Sequence, residues 1–195
     1  MLRYAISTGA ISSLADTTAD RLVARCGELA RAGVDAVLLR EKRLAPEDLV
    51  ALTRSVVAAC GQGGTKVVVA GSPAVALAGG AHGVHLSGGV GTPAAVRVQI
   101  PKAWVSVSCH SLEEVERARL AGADAVLFAP VFGKVVAGVE VVPGVGLLRL
   151  QQACAVAFPM AVFALGGVDE ANVAACVQAG AAGVAGIRLF FGIAG

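Results

Sequence analysis

Three short clusters in this 195-residue chain hold side chains suited to handling a charged ligand. The first is Arg40-Glu41-Lys42, which follows an apolar run. In extended backbone, residues two apart share a side, so Arg40 and Lys42 face one way and Glu41 the other. A guanidinium fork beside an ammonium suits a polyanion; ordinary solvated loop charges are the plainer reading. Lys134 offers a third cation. The second cluster is Ser108-Cys109-His110, where Ser108 and His110 share a side. His110 falls one position before a helix N-cap, whose partial positive end disfavours imidazolium. A neutral imidazole there takes a proton or bonds a ligand, or simply packs at a strand end. Ser108 is then a positioner, and Glu41 is the next candidate base. Cys109 points away as a buried thiol with nothing to lower its pKa. His85, inside Gly-Val-His-Leu, reads as structural.

The third cluster is made of glycines. Gly166-Gly167 and Gly186-Ile187 each end an apolar run, and open backbone N–H groups in such loops make a cradle for phosphate. Tight turns alone would use the same glycines.

These clusters need a scaffold that gathers them. Four times an alanine-rich helical stretch ends on glycine and enters a short apolar strand, at residues 31–39, 77–86, 120–128 and 178–186. Further strand candidates lie at 3–7, 66–69, 104–108 and 161–165. A glycine after the last helical turn accepts the left-handed conformation that satisfies orphan carbonyls. Strands with almost no charge suit burial on both faces. The expected fold is α/β: one TIM (β/α)8 barrel over residues 1–195 with a short final helix. In such barrels chemistry gathers where strands run into the following loops, which puts all three clusters at one mouth. Helix starts are expected at Pro46, at Ser111 in a capping box with Glu114, and at Asp169.

Composition narrows the function. The chain is 56% hydrophobic with mean hydropathy +0.74. Its apolar stretch 153–168 is interrupted by Pro159 and falls short of the roughly 20 residues a membrane span needs. No secretory signal is expected from the start of the chain. Five cysteines, none spaced C-x-x-C, read as free thiols in a reducing cytoplasm. A net charge of +2 with no basic run argues against nucleic acid. A curtailed last helix leaves apolar flank that a second copy could cover, which is the argument for a homodimer, while the sequence itself leaves the oligomeric state open.

Six motifs in register on those strands resemble the thiamine phosphate synthase/TenI superfamily: LLREK (38–42), GVHL (83–86), VSVSCHSLEEV (105–115), GADAVLFAPVF (122–132), ALGGV (164–168) and AGAAGVAGI (179–187). The resemblance implies thiamine biosynthesis on a phosphorylated thiazole. In its synthase branch, a pyrimidine pyrophosphate is joined to a thiazole phosphate with magnesium. Arg40 and Lys42 would hold pyrophosphate, Ser108 would line the pyrimidine side, and Gly166, Gly167, Gly186 and Ile187 would hold the thiazole phosphate. The chain departs from this branch at the metal machinery. Leu38 replaces a glutamine, Ala70-Gly71 replace an Asn-Asp pair, and a residue near Val90 replaces an acid. Lys134 comes earlier than the family's lysine. Magnesium prefers carboxylates, so no metal is expected, with Mg2+ entering only under the synthase reading. The TenI branch, thiazole tautomerases, lacks those carboxylates too, but its histidine after the sixth strand is Pro130 here. The sequence therefore leans to a metal-independent, tautomerase-like role with His110 moving the proton. The alternatives are the synthase and a non-catalytic phosphate-ligand regulator.

Overall fold

The computed structural model describes residues 1–15, 17–61, 63–87, 91–136 and 139–192, without the side chains of 134–136 and 139–141. Val90 therefore lies outside the described residues, as does the side chain of Lys134.

Eight parallel strands close into a barrel. They are β1 (Leu2–Ile6), β2 (Ala36–Leu39), β3 (Lys66–Ala70), β4 (Gly83–Leu86), β5 (Trp104–Cys109), β6 (Ala125–Phe128), β9 (Ala161–Ala164) and β10 (Gly183–Gly186). Around it run α1 (Thr17–Arg31), α2 (Pro46–Cys60), α3 (Pro73–Gly79), α4 (Pro93–Gln99), α5 (Leu112–Leu120), α6 (Gly146–Ala157), α7 (Val173–Gln178) and α8 (Arg188–Phe191). The short final helix is there: α8 has four residues, and Arg25 of α1 holds its Phe190 carbonyl through Nε and Nη2 at 3.0 and 2.8 Å. No helix among the described residues is long and apolar enough to cross a membrane.

Burial explains the apolar strands. Every residue of β2, β4, β6 and β10 is buried, because each strand meets the barrel interior on one face and helices on the other. Alternation sorts the side chains: Ala36 and Leu38 enter the interior cluster with Tyr4, Val68, Leu127 and Phe163, while Val37 and Leu39 pack outward against α1 and α2. All four repeat glycines (Gly33, Gly80, Gly122 and Gly180) adopt positive φ between 71° and 95°, so the reading of those helix ends holds. Two repeat aspartates add a brace at the opposite end of the barrel. Asp35 accepts the N–H of Arg3, and Asp124 accepts that of Val105.

Two expectations need correction. A short antiparallel pair, β7 (Lys134–Val136) and β8 (Val139–Val142), follows the sixth barrel strand where only a loop was read; its β-branched residues were the overlooked signal. The helix expected to open at Asp169 begins at Val173 instead. The Asp169 carboxylate accepts the N–H groups of Ala171 and Asn172, and Asn172 Oδ1 accepts that of Asp169. A short polar side chain bonding its own backbone closes a turn before the helix starts.

Candidate functional site

The strand alternation continues past the strand ends and builds the mouth. Positions 40 and 42 carry on the inward series of β2, and positions 106, 108 and 110 that of β5. Accordingly Arg40, Lys42, Ser108 and His110 all line one cavity of about 330 Å³ at the C-terminal end of the barrel. Ile6, Leu38, Leu127, Leu165 and Ile187 form its apolar part, and no carboxylate among the described residues lines it. An apolar cup rimmed by cations favours an anion attached to an organic ring.

Glu41 goes the other way. It is 2% exposed, and its two carboxylate oxygens accept the N–H groups of Gly9 and Ile11 at 3.0 and 2.9 Å. That fastens the loop after β1 to the end of β2. A carboxylate so occupied and turned from the cavity is a brace, which removes Glu41 from the candidate bases.

His110 keeps its place. Its Nδ1 donates to the carbonyl of Ala129 at 2.7 Å, and Nε2 has no partner among the described residues. Its own backbone N–H reaches Glu114 Oε2 at 2.6 Å, while Ser111 Oγ accepts the Glu114 N–H at 3.2 Å. The capping box thus forms one residue out of step: the N3 carboxylate takes the N–H before the N-cap and pins the histidine backbone.

His85, read from sequence as structural, also faces the mouth. It is 5% exposed and lines the mouth cavity. Its Nδ1 lies 2.8 Å from Ser106 Oγ and its Nε2 lies 2.9 Å from Ser108 Oγ. Ser106 Oγ in turn lies 3.1 Å from the Tyr4 hydroxyl. Tyr4 is wholly buried, edge-on to Trp104 and Phe163, and burial pushes its pKa up. Burial first, and the Arg40 charge second, lower His85 to about 4, so the ring is neutral near pH 7. The available signal was parity: Val84 and Leu86 pack outward, so His85 between them faces inward. Cys109 behaves as read, a buried thiol with its pKa raised to about 12 by burial and the nearby Glu114.

The glycine loops enclose a second cavity of about 290 Å³ lined by Gly166, Gly167, Gly186 and Ile187 together with Arg188. The carbonyls of Leu165 and Gly166 accept the N–H groups of Val131 and Phe132 at 2.8 and 2.9 Å. In a trans peptide the next N–H points opposite to the carbonyl, so those of Gly166 and Gly167 turn away from that loop. With the N–H of Ile187, they meet no acceptor among the described residues. Gly166 and Gly167 have φ of +89° and +65°, and a Cβ on either would come within 2.7 Å of Pro130 or Phe132. Only glycine fits. Gly186 differs, since it lies within β10 in register with Ala5, and a Cβ on it would come within 3.2 Å of Leu189 in α8. Leu165 and Ile187 line both cavities, which makes them neighbours.

A resident magnesium finds few ligands here. Ala70 lines the mouth without a donor side chain, and Gly71 spends its N–H on the His85 carbonyl at 2.9 Å. No grouping of three or more His, Cys, Asp or Glu side chains among the described residues is placed to hold a metal. Magnesium usually takes one or two carboxylates, with substrate phosphates and water completing its shell, and among the described residues this mouth offers it no carboxylate.

The profile of a family described as thiamine monophosphate synthase matches residues 8–190. A putative thiamine-phosphate synthase of Geobacter sulfurreducens is 38% identical over 155 residues, covering 78% of this chain and 71% of its own. The putative thiamine-phosphate synthase 2 of Aquifex aeolicus is 34% identical over 164 residues, covering 84% and 86%. Among solved structures, a thiamine phosphate pyrophosphorylase from Pyrococcus furiosus superposes with a TM-score of 0.82 over 99% of this chain and 88% of that one. At 22% identity this last likeness speaks for the fold.

Proposed function

The chain belongs to the thiamine monophosphate synthase family, and from that premise we propose that it joins a pyrimidine pyrophosphate to a thiazole phosphate at the barrel mouth. The observation that carries this reading is the pair of adjoining cavities, one rimmed by Arg40 and Lys42, the other lined by unpaired backbone N–H groups. Two anionic substrates need two anion sites within reach of each other. In the joining, a bond forms from the thiazole to the pyrimidine's carbon and the bond to the pyrophosphate oxygen breaks. Pyrophosphate leaves with the electron pair. Arg40 and Lys42 are placed to take up that developing charge, with Lys134 a third cation following β6. Gly166, Gly167 and Ile187 hold the thiazole phosphate through their N–H groups, with Gly186 letting Leu189 of α8 pack close to the strand end. Ser108 faces the pyrimidine. Among the described residues no carboxylate faces this mouth, so a magnesium ion under this reading would be held mainly through the substrates' phosphates, and no step is assigned to it. The relatives' names favour this synthase reading over the tautomerase that the missing carboxylates suggested from sequence.

The test is turnover of pyrimidine pyrophosphate plus thiazole phosphate, with and without Mg2+, followed by pyrophosphate release. Release is expected. Absence of release under both conditions, with both substrates bound, would sink the synthase reading.

A second reading rests on one observation: among the described residues, His110 Nε2 has no partner and no carboxylate lines the mouth. That arrangement suits a metal-free tautomerase acting on a thiazole carboxylate phosphate, with His110 carrying the proton. Under it, His110→Asn loses turnover by 10²-fold or more, on the order of a positioned acid–base group, and still binds phosphate. Binding of the thiazole phosphate with neither reaction would mark a non-catalytic regulator.

A further inference from the structure

The hydrogen bonds inside the barrel have a direction, and burial decides it. Tyr4, Ser106, His85 and Ser108 form a chain of three contacts running from the barrel interior to the mouth cavity. Three hydroxyls and one neutral imidazole carry four polar hydrogens, one more than the contacts use. The spare hydrogen must leave the chain. Tyr4 and Ser106 are wholly buried and His85 nearly so, and none has a further side-chain partner among the described residues. A spare hydrogen on any of them would be a buried donor without an acceptor, which folded proteins avoid. His85 and Ser108 both line the mouth cavity, but each ring nitrogen of His85 already faces a serine hydroxyl, so only Ser108 can turn a hydrogen into it. One assignment therefore remains: Tyr4 donates to Ser106, Ser106 donates to His85 Nδ1, His85 donates from Nε2 to Ser108, and Ser108 directs its hydrogen into the mouth.

We propose that Ser108 is an obligate hydrogen-bond donor to the ligand, with Tyr4, Ser106 and His85 as positioning residues that orient its hydroxyl. The ligand atom it meets must then carry a lone pair, as a pyrimidine ring nitrogen does, and not an N–H. The depressed basicity of His85 supports the neutral ring the count requires. The identity of that acceptor rests on the synthase reading given above; the direction of the chain does not.

Two measurements on the full chain separate these. In the first, 15N-histidine-labelled protein is examined at pH 7 by long-range proton–nitrogen correlation, with the three histidines assigned through His82→Gln and His110→Gln. His85 is expected with its proton on Nε2 and a bare Nδ1. A proton on Nδ1, or an even mixture of tautomers, overturns the proposal whatever the protein binds. In the second, affinity for pyrimidine pyrophosphate is compared with analogues in which each ring nitrogen in turn is replaced by C–H. One replacement should weaken binding to the wild type by about tenfold or more, and Ser108→Ala should lose that discrimination. Equal binding of all three compounds by the wild type overturns the donor role toward the ring. Failure of pyrimidine pyrophosphate to bind at all would count against the synthase reading, and the tautomer measurement would still decide the direction of the chain.

Discussion

Acid should weaken this fold through His85. The ring is buried among Ser106, Ser108 and the Arg40 guanidinium, and the cavity it lines also holds Lys42 and His110 but no carboxylate among the described residues. Protonation there puts a cation among cations in a poorly solvated place. Its pKa falls from 6.5 to about 4, with burial the larger cause. Between those values the unfolded chain binds a proton that the folded chain refuses. Stability is therefore whole above about pH 6.5, drains as pH falls, and levels off below about pH 4. At about 1.4 kcal/mol per pKa unit, the loss is on the order of 3 kcal/mol, a large part of a typical 5–15 kcal/mol total. The perturbation is His85→Asn, which keeps a polar group near Ser106 and cannot titrate. Urea unfolding of both proteins across this range isolates the residue, because other titrating groups cancel in the difference. The variant should be less stable near pH 7, by about 1–3 kcal/mol for a lost buried bond, and should regain its deficit or overtake the wild type near pH 4. A difference that stays flat with pH would refute the burial argument.

Glu41→Gln should cost about 1–3 kcal/mol in urea unfolding, because one of the two loop N–H groups loses its acceptor; full stability with lost turnover would return Glu41 to the candidate bases. Gly167→Ala forces a Cβ against Phe132 at positive φ, so calorimetry should show thiazole phosphate affinity falling by about tenfold or more, on the scale of 1–3 kcal/mol of backbone strain; unchanged affinity would move the phosphate elsewhere. Calorimetry of the ligand-free protein should detect no stoichiometric magnesium uptake at sub-millimolar concentration, and a clear one-to-one isotherm would reveal carboxylate ligands beyond the described lining of this mouth.

What the sequence determined by itself was local in origin. A strand repeats every two residues, so the inward series 36, 38, 40, 42 and the series 106, 108, 110 could be read without coordinates, along with Glu41 turning away. The four helix-ending glycines marked the strands they precede, because a left-handed residue at a helix end is a single-position requirement. From these came the barrel, its mouth and most of the cavity lining. Tertiary structure decided the partners. Tyr4 and Ser106 are 102 residues apart in the chain and touch only because the barrel closes and sets its register. His85 looked like a core residue until β4 and β5 aligned it between two serines. Nothing near Glu41 in the chain shows that Gly9 and Ile11 take both its oxygens. The glycine loops became a cradle once Pro130 and Phe132 packed behind Gly166 and Gly167 and turned their N–H groups the other way. Side-chain direction follows from a short-range backbone period, whereas contact between distant strands depends on closure, which no local pattern encodes.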